Sequence, residues 1–469
     1  MVTDGIRRVL FISYTFPPIA SVGSLRPTKF VKYLPEFGWH PTVLTVANPS
    51  APLVDGALCD EIPPGVPVIR ARTLEPGYGL KRAVARGSGM ADRSGDGTAD
   101  EGTRSRRGSR LLRLPAVLVK ELANTLLVPD AQVLWNPAAY RAARRALAER
   151  PHDAVFVSAP PFSSLVLGAR ISRAYGLPLV VDYRDEWDIS NRYWENKSRS
   201  RYVGARHRRL EDRVLRTARA VVATTRRSVA TLATRARALG NEPLSRCIYN
   251  GWDAADFPAA PTLETFGERY RLTYTGSLWR LTSPEPLVRA LCRLSKTAPE
   301  LAEHIDLVVA GRILPRERAL LMQLASTPVN VHELGHVSHG DAVRLMLQAN
   351  ALCVTLADVA GAERVVPSKI FEYMAARRRI FCVAPRGEVQ EIADACPLAV
   401  THAPNEIEAI CGSLAEDVRR FLTRRRLEIG DWTPRRFERR TLTGELAELL
   451  DAVAVTPAVT RDVAAAVTE

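Results

Sequence analysis

The segment VVPSKIFEYMA (365–375) carries a lysine and a glutamate that could bind a phosphorylated ligand. Pro367 and Ser368 mark the start of a predicted helix, and Lys369 and Glu372 stand three residues apart, on one face of its first turns. A cation beside a helix N-terminus suits a diphosphate, and a carboxylate one turn later can accept hydrogen bonds from two ribose hydroxyls. An ion pair on a solvated surface is the alternative.

Two arginines follow predicted strands in the same half of the chain. YTGSLWR (274–280) places Gly276 at a strand end and Arg280 shortly after it, and Arg312 follows the strand in VVAGRIL (308–314). Either guanidinium could contact phosphate. Each could equally face solvent, because arginine is abundant throughout this chain.

The loop after the first predicted strand, TFPPIASVGSLR (15–26), is rich in small residues and leads into a helix. Small side chains let backbone N–H groups approach an anion, and the positive end of the helix dipole adds to the attraction. Gly23 and Arg26 are therefore candidate phosphate contacts. The spacing is not G-x-G-x-x-G, which disfavours a dinucleotide-dependent dehydrogenase. A plain strand–helix connection explains the same residues.

Polar residues crowd the end of a predicted buried strand in VVDYRDEWD (180–188). Asp182, Arg184 and Asp185 stand where a carboxylate could orient an acceptor hydroxyl or act as a general base. A structural network of arginine and aspartate is the competing explanation. We single out Asp185 for a catalytic role.

Three histidines, His332, His336 and His339, have spacings that invite a metal interpretation. They span a predicted strand end, a glycine and a loop, and no cysteine or carboxylate completes a ligand set. A convincing D-x-D triplet is also missing from the loops. The sequence therefore predicts no metal site.

Short β-branched runs alternate with amphipathic helical patterns along most of the chain, and these elements must position the candidate residues. Such alternation indicates parallel sheets with helices on both faces. The pattern restarts after YNGWDAADF (249–257), which predicts two facing Rossmann-like doubly wound domains of the α/β class. Ligands of such sheets bind at the carboxyl ends of the strands, where the candidate residues stand, so we expect them to line a cleft.

The same pattern sets the expected domain boundaries. We predict a first, acceptor-side domain over residues 1–260, with a disordered insertion at 86–110 where Gly, Ser, Arg and Asp replace large apolar residues. A second, ligand-binding domain covers 261–433. A helix over 434–455 crosses back to the first domain, and 456–469 forms a frayed tail.

The composition is that of a globular protein, with 46% hydrophobic and 25% charged residues in a chain of 469. The longest apolar runs are far shorter than the roughly 20 residues of a transmembrane helix. No signal-peptide pattern is evident, and the seven scattered cysteines form no C-x-x-C pair, so we expect a cytoplasmic protein. The net charge of +14 suits nucleic acid, an anionic membrane surface or phosphorylated ligands.

Several segments together resemble the family 4-like glycosyltransferases, in particular the branch of bacterial polysaccharide and natural-product pathways. The likeness covers nearly the whole chain outside 50–115 and the tail. Its markers are SYTFPP with SLRPTKFVKYLPEFGWHPTVLT (13–45), PDAQVLW (129–135), SAPPFSS (158–164), VVDYRDEW (180–187), YNGWDAADF (249–257), YTGSLW (274–279) and VPSKIFEYMAA (366–376).

The resemblance implies a GT-B fold and transfer of a sugar from a nucleotide-sugar donor to an acceptor hydroxyl, with retention of anomeric configuration. It implies no metal or other cofactor, a UDP- or GDP-linked donor held mainly by the second domain, and a sugar, lipid-linked or natural-product acceptor. Glu372 matches the family's second glutamate, which holds the ribose. The position of the first glutamate is occupied by Arg364, with Glu363 one place earlier.

The family's phosphate-binding arginine and lysine are replaced here by Ser277 and Ser283. Arg280 and Lys369 are the substitutes that the resemblance leaves. Both would act on charge that develops on the departing diphosphate, and this makes them catalytic candidates beside Asp185.

Other functions fit parts of the sequence. A GT-B nucleotide-sugar epimerase shares the fold and the donor. A nucleic-acid-binding protein would use the positive charge, although the basic runs lack interleaved aromatic residues. A peripheral contact with the inner face of the cell membrane is a further hypothesis, because five arginines between 104 and 113 precede or interleave LLRLPAVLVKELANTLL (111–127). An ordinary core helix explains that stretch as well.

Overall fold

The computed structural model describes residues 7–51, 53–79, 127–193, 201–258 and 268–455. The insertion predicted at 86–110, all but the last residue of the basic segment 104–127, and the predicted tail lie outside these ranges. The described residues divide into two units. The N-terminal unit comprises 7–224, 228–248 and 443–455, and the C-terminal unit comprises 225–227 and 249–442.

A parallel sheet forms the centre of each unit, as the alternation of strand and helix patterns predicts. In the described part of the N-terminal unit the sheet has seven strands in the order β3-β2-β1-β4-β5-β6-β7. They are β1 (Arg7–Ile12), β2 (Trp39–Val46), β3 (Val68–Ala71), β4 (Ala154–Ala159), β5 (Leu179–Tyr183), β6 (Ala220–Ala223) and β7 (Leu244–Cys247). Strands β4, β5 and β6 consist entirely of buried residues, and the last four residues of β1 are buried, as expected of a sheet covered on both faces.

The C-terminal unit has a six-stranded parallel sheet among its described residues, in the order β10-β9-β8-β11-β12-β13. Its strands are β8 (Tyr270–Thr275), β9 (Ile305–Ala310), β10 (Asn330–Gly335), β11 (Ala351–Thr355), β12 (Arg379–Val383) and β13 (Ala399–His402). Apolar residues of β8, β9 and β11 pack against the helices that connect them.

Helices connect the strands and cover the sheets. In chain order they are α1 (Val22–Tyr33), α2 (Asn136–Glu149), α3 (Ser163–Tyr175), α4 (Trp187–Tyr193), α5 (Arg201–Thr217), α6 (Arg226–Ala238), α7 (Glu285–Thr297), α8 (Pro299–Ala302), α9 (Pro315–Leu321), α10 (His339–Gln348), α11 (Lys369–Ala376), α12 (Glu388–Asp394), α13 (Ile407–Leu422) and α14 (Arg439–Val455). None of these helices combines the length and the apolar character needed to cross a membrane within the described ranges.

The last helix, α14, returns to the N-terminal unit. From residue 443 onward it belongs to that unit. Trp39 donates its indole N–H to Asp451 at 2.7 Å, and Arg7 forms an ion pair with the same carboxylate. A Cβ at Gly444 would lie 3.1 Å from the Phe37 ring, so this glycine allows close packing. The sequence predicts a crossover helix over 434–455, and the structure has a helix from Arg439 to Val455 that returns to the N-terminal unit.

Candidate functional site

Both sheets contain a point where the strand order reverses. The reversal falls between β1 and β4 in the N-terminal unit and between β8 and β11 in the C-terminal unit. In open parallel sheets the connections on the two sides of such a point run to opposite faces, which leaves a crevice at the carboxyl ends of the strands. The candidate residues can be judged by how they surround these two points.

Gly276 follows β8 at the reversal in the C-terminal unit. Its φ of +112° lies in a region that glycine adopts without steric cost. The neighbouring strand β9 is followed by Gly311, whose φ is +141°, and a Cβ there would lie 2.2 Å from the Gly276 carbonyl oxygen. The two strand ends can approach this closely only because Gly311 lacks a side chain.

Helix α11 is fixed against the end of β8 by Tyr373, which is fully buried. The Thr275 backbone N–H donates to the Tyr373 hydroxyl at 3.0 Å, and the Thr275 hydroxyl lies 3.2 Å from it. These contacts place the first turn of α11, with Lys369, beside Gly276.

The Lys369 ammonium lies over the ring face of Tyr274, 3.6 Å from its centroid. A Cβ at Gly276 would come within 3.0 Å of Lys369 Nζ, so the missing side chain makes room for the cation. Among the described residues no carboxylate forms an ion pair with Lys369, and no acceptor forms a hydrogen bond with it. The N–H donors of Lys369 are therefore not used by another described residue and can be offered to an anion.

Burial of the ammonium lowers the pKa of Lys369 to about 7, while the charge of Glu372 opposes that shift. A bound phosphate would reverse it, because an adjacent negative charge favours the protonated form of an amine.

Glu372 lies one turn after Lys369 and is half-buried. Its carboxylate makes no hydrogen bond or ion pair with any described residue. His339, at the start of α10, pairs with Asp256 at 3.1 Å. The pKa of His339 is raised, first by that hydrogen bond and also by the charge of Glu372. Glu372 thus has no hydrogen-bond or ion-pair partner among the described residues, and its charge acts on both Lys369 and His339.

The other predicted residues of this unit surround the same strand ends less closely. Arg280 and Arg312 are exposed in the segments that follow β8 and β9, and Pro367 and Ser368 are half-buried at the start of α11. The Ser368 side chain makes no capping hydrogen bond. Leu278 and Ile313 form a parallel bridge, which ties together the segments that carry the two arginines.

Glu363 stands in a single 3-10 turn before α11. Its carboxylate accepts the backbone N–H of Gly361 at 2.9 Å and lies 3.7 Å from Arg364 Nε. Glu363 also lines an open depression of about 460 Å³ at the ends of β12 and β13, which Lys369 and Glu372 do not line. Replacement of the family's first glutamate by Glu363 or by Arg364 stays a prediction from the sequence.

The N-terminal unit presents a different arrangement at its reversal. Arg26 is 4% exposed and Asp182 is fully buried, and Arg26 Nη2 lies 2.8 Å from Asp182 Oδ1. Ser158 donates to the other carboxylate oxygen at 2.8 Å, and the Arg26 guanidinium lies 4.6 Å from the Phe30 ring. Asp182 therefore lies in a structural network of arginine and aspartate, which was the competing explanation for the segment 180–188, and its partner is Arg26.

Gly23 makes room for Arg184 in the same region, because a Cβ at Gly23 would lie 2.9 Å from Arg184 Nη1. Arg184 donates to the Pro160 carbonyl, while its Nε and Nη1 have no hydrogen-bond partner among the described residues. Burial lowers the pKa of Arg184 to about 10. Asp185 is half-buried, and desolvation raises its pKa against the opposing charge of Arg184.

The three histidines do not converge. His332 lies 3.7 Å from Asp306, and His339 pairs with Asp256. Within the described ranges no group of three or more His, Cys, Asp or Glu side chains could hold a metal ion.

Two parallel α/β units, each with a strand-order reversal and linked by a returning C-terminal helix, define the GT-B class of glycosyltransferases. A family model described as glycosyl transferase 4-like domain matches residues 26–241, nearly all of them in the N-terminal unit. Residues 26–241 therefore form a glycosyl transferase 4-like domain, and the protein is a glycosyltransferase. A search of curated proteins gave no match.

Solved structures share this fold over almost the whole chain. The sucrose-phosphate synthase of Thermosynechococcus elongatus has 16% identity and a TM-score of 0.53, with 95% of this chain and 94% of that one covered. Anabaena Alr3699/HepE, solved in complex with UDP-glucose, has 15% identity, a TM-score of 0.54 and coverages of 95% and 99%. An α,α-trehalose 6-phosphate synthase of Burkholderia multivorans has 12% identity, a TM-score of 0.56 and coverages of 96% and 99%. At these identities the likeness shows the fold.

Proposed function

We propose that this protein transfers a sugar from a nucleotide-sugar donor to an acceptor hydroxyl with retention of anomeric configuration, and that Lys369 binds the donor diphosphate. The observation that carries the proposal is the unpaired ammonium of Lys369. It lies over Tyr274 and beside Gly276, at the reversal of the C-terminal sheet. Backbone without a side chain next to a cation is a suitable surface for phosphate.

Glu372 is the proposed ribose ligand. Its carboxylate has no other polar partner among the described residues and can accept hydrogen bonds from two vicinal hydroxyls. Lys369 then lies one helical turn away, which matches the adjacency of ribose and diphosphate in a nucleotide. Arg280 and Arg312 are further candidate phosphate ligands, because both are exposed in segments tied together beside Gly276 and Gly311.

The chemical step needs stabilisation of the charge that develops on the leaving diphosphate. Lys369 supplies a cation whose protonated form is favoured more strongly as that charge grows, so it contributes most in the transition state. Asp185 is proposed to orient the acceptor hydroxyl through its carboxylate, whose pKa is raised by burial. No metal ion takes part in this proposal.

A UDP-linked sugar is the first donor to test, because Alr3699/HepE was solved with UDP and with UDP-glucose. A sugar or sugar phosphate is the first acceptor class, since a trehalose-phosphate synthase of the same fold was solved with glucose-6-phosphate. A lipid-linked acceptor and a cytoplasmic location stay predictions from the sequence.

Isothermal titration of the protein with UDP and GDP, followed by kinetics on Lys369→Met and Asp185→Asn, tests the proposal. We expect Lys369→Met to lower kcat more than it raises KM, because the charge on the diphosphate is greatest in the transition state. Asp185→Asn should lower turnover and leave nucleotide affinity unchanged. Failure of the wild-type protein to bind any nucleoside diphosphate would refute the proposal. A parallel loss of affinity in Asp185→Asn would reassign that residue to the fold.

A further inference from the structure

Helix α5 in the N-terminal unit presents one strongly basic face. Its buried side is formed by Val203, His207, Glu211, Val214 and Leu215. The exposed side carries six arginines, Arg201, Arg206, Arg208, Arg209, Arg213 and Arg216. At 100° per residue these six positions fall within about half of the helix circumference.

The two acidic residues of α5 do not neutralise that face. Glu211 is buried, Asp212 is half-buried, and Arg235 of helix α6 forms ion pairs with both. Arg235 Nη2 lies 2.7 Å from Asp212 Oδ1. The negative charges of α5 are therefore paired with an arginine of α6.

Helices α2 and α3 extend the basic surface. Helix α3 packs against both α2 and α5, so the three helices lie side by side. Five further exposed arginines stand on them, Arg141, Arg144 and Arg145 on α2 and Arg170 and Arg173 on α3. Glu149 is the one exposed acidic residue of the three helices. A high arginine content does not by itself keep acidic residues away from the same surface. The composition of the chain therefore does not explain why these three helices expose many arginines and a single acidic residue.

We propose that the outer surface of α2, α3 and α5, called the arginine face below, docks onto an anionic lipid bilayer. Arginine binds phosphate through two parallel hydrogen bonds, and clusters of basic residues are attracted to acidic headgroups within a Debye length. Tyr175 and Tyr202 are 40% and 67% exposed at the ends of α3 and α5. Tyrosine favours the headgroup region, where its ring is half-immersed and its hydroxyl is hydrated.

The layout of the arginine face favours a bilayer over a nucleic acid. Three adjacent helices form a broad surface, whereas duplex readers insert one element into a groove and single-strand binders stack bases on interleaved aromatic residues. The two exposed tyrosines stand at helix ends instead of between the arginines. The arginine face contains none of the residues assigned above to donor or acceptor.

Co-sedimentation of the full chain with vesicles tests the proposal. Phosphatidylcholine vesicles with about 30% phosphatidylglycerol should bind the protein at about 50 mM salt, pure phosphatidylcholine should not, and about 500 mM salt should release it. The variant R208Q/R209Q/R213Q/R216Q should bind the acidic vesicles at least about tenfold more weakly. The α2 variant R141Q/R144Q/R145Q should weaken binding in the same direction.

A matched control separates a specific surface from net charge. The variant R289Q/R419Q/R424Q/R426Q removes the same charge from exposed arginines of the C-terminal unit and should bind vesicles like the wild type. An unchanged thermal midpoint shows that each variant is folded. Equal losses in the α5 variant and the control would overturn the proposal, as would absence of binding to acidic vesicles at low salt. Tighter binding of duplex DNA than of vesicles through the same arginines would assign the arginine face to nucleic acid.

Discussion

The two strand-order reversals of this protein carry similar residues in different electrostatic states. At β1 and β4, Arg26 and Asp182 neutralise each other, and Ser158 completes the carboxylate's hydrogen bonds. At β8 and β11, Lys369 and Glu372 have no polar partner among the described residues. The comparison teaches that position at a sheet reversal does not by itself identify a binding residue. We propose that the absence of an internal partner distinguishes a residue that binds ligand from one that stabilises the fold.

The largest effect expected from this difference is on stability. Asp182→Ala leaves the buried Arg26 guanidinium without its counter-charge, and breaking a buried pair in this way costs about 3–5 kcal/mol in the free energy of unfolding. Lys369→Met, at the other reversal, breaks no ion pair and removes an ammonium whose pKa is lowered by burial, so it should not destabilise the fold at neutral pH. Urea denaturation followed by circular dichroism measures both. Equal losses in the two variants would erase the distinction between the two clusters.

Ligand affinity should show the opposite pattern. Glu372→Gln replaces charge-assisted hydrogen bonds to the ribose by neutral ones, and we expect nucleoside diphosphate to bind about ten- to a hundredfold more weakly. Glu416→Gln, on the exposed side of α13, removes the same charge and should leave affinity unchanged. Isothermal titration with both variants gives the comparison. Wild-type affinity in Glu372→Gln would remove this residue from the site.

The pH dependence of binding tests the charge of Lys369. With a pKa of about 7 in the free protein, the ammonium is lost as pH rises above 7, and nucleotide affinity should fall by up to about tenfold per pH unit until another group titrates. Lys369→Arg keeps its charge in this range and should flatten the profile. Titrations between pH 6 and about 9 measure the slope. A flat profile for the wild type would show that the cation is not needed.

The lowered pKa of Lys369 also makes the free energy of unfolding depend on pH. The unfolded chain holds the Lys369 proton up to its ordinary pKa near 10.5, so between about pH 7 and that value the unfolded state binds more protons. The contribution of this residue to stability therefore rises with pH across that window, and Lys369→Met should abolish that rise.

The smallest effect concerns Tyr274, which has two separable contacts. Its ring lies under Lys369, and its hydroxyl donates to the Ser277 carbonyl at 3.0 Å. Tyr274→Phe keeps the ring and should bind nucleotide almost like the wild type. Tyr274→Leu removes the cation–π contact and should weaken binding by about 0.5–2 kcal/mol, without the change in pH profile that Lys369→Arg produces. Identical affinities in the two variants would mean that the ring does not position the lysine.

The sequence was sufficient to predict the fold class because the central strands are continuous apolar runs. It did not reveal β3, β7 and β13, which are short and whose residues VIRA, LSRC and AVTH are mostly not buried. Edge strands pair on one side only, so their sequences lack the apolar signal. The sequence analysis did not predict helix α5, because its many exposed arginines obscure the spacing of its buried apolar residues.

The site could be predicted only where its geometry is local. Helical spacing places Lys369 and Glu372 one turn apart, and this spacing can be read from the sequence. The partner of Arg26 lies 156 residues away, and no short-range pattern identifies it. Tyr274 and its role beneath Lys369 were missed for the same reason. An aromatic residue just before a strand-end glycine was the available signal, and a core position explains it equally well.

The return of α14 to the N-terminal unit bears on how the chain is made. Residues of that helix complete a unit whose other parts precede residue 249, so the contacts of Asp451 with Arg7 and Trp39 join the first strand region to a segment that follows the whole C-terminal unit. During synthesis the ribosome releases residues 249–442 before this helix. The C-terminal unit can therefore finish folding first. Until α14 has been synthesised, the N-terminal unit lacks the helix that contacts Trp39.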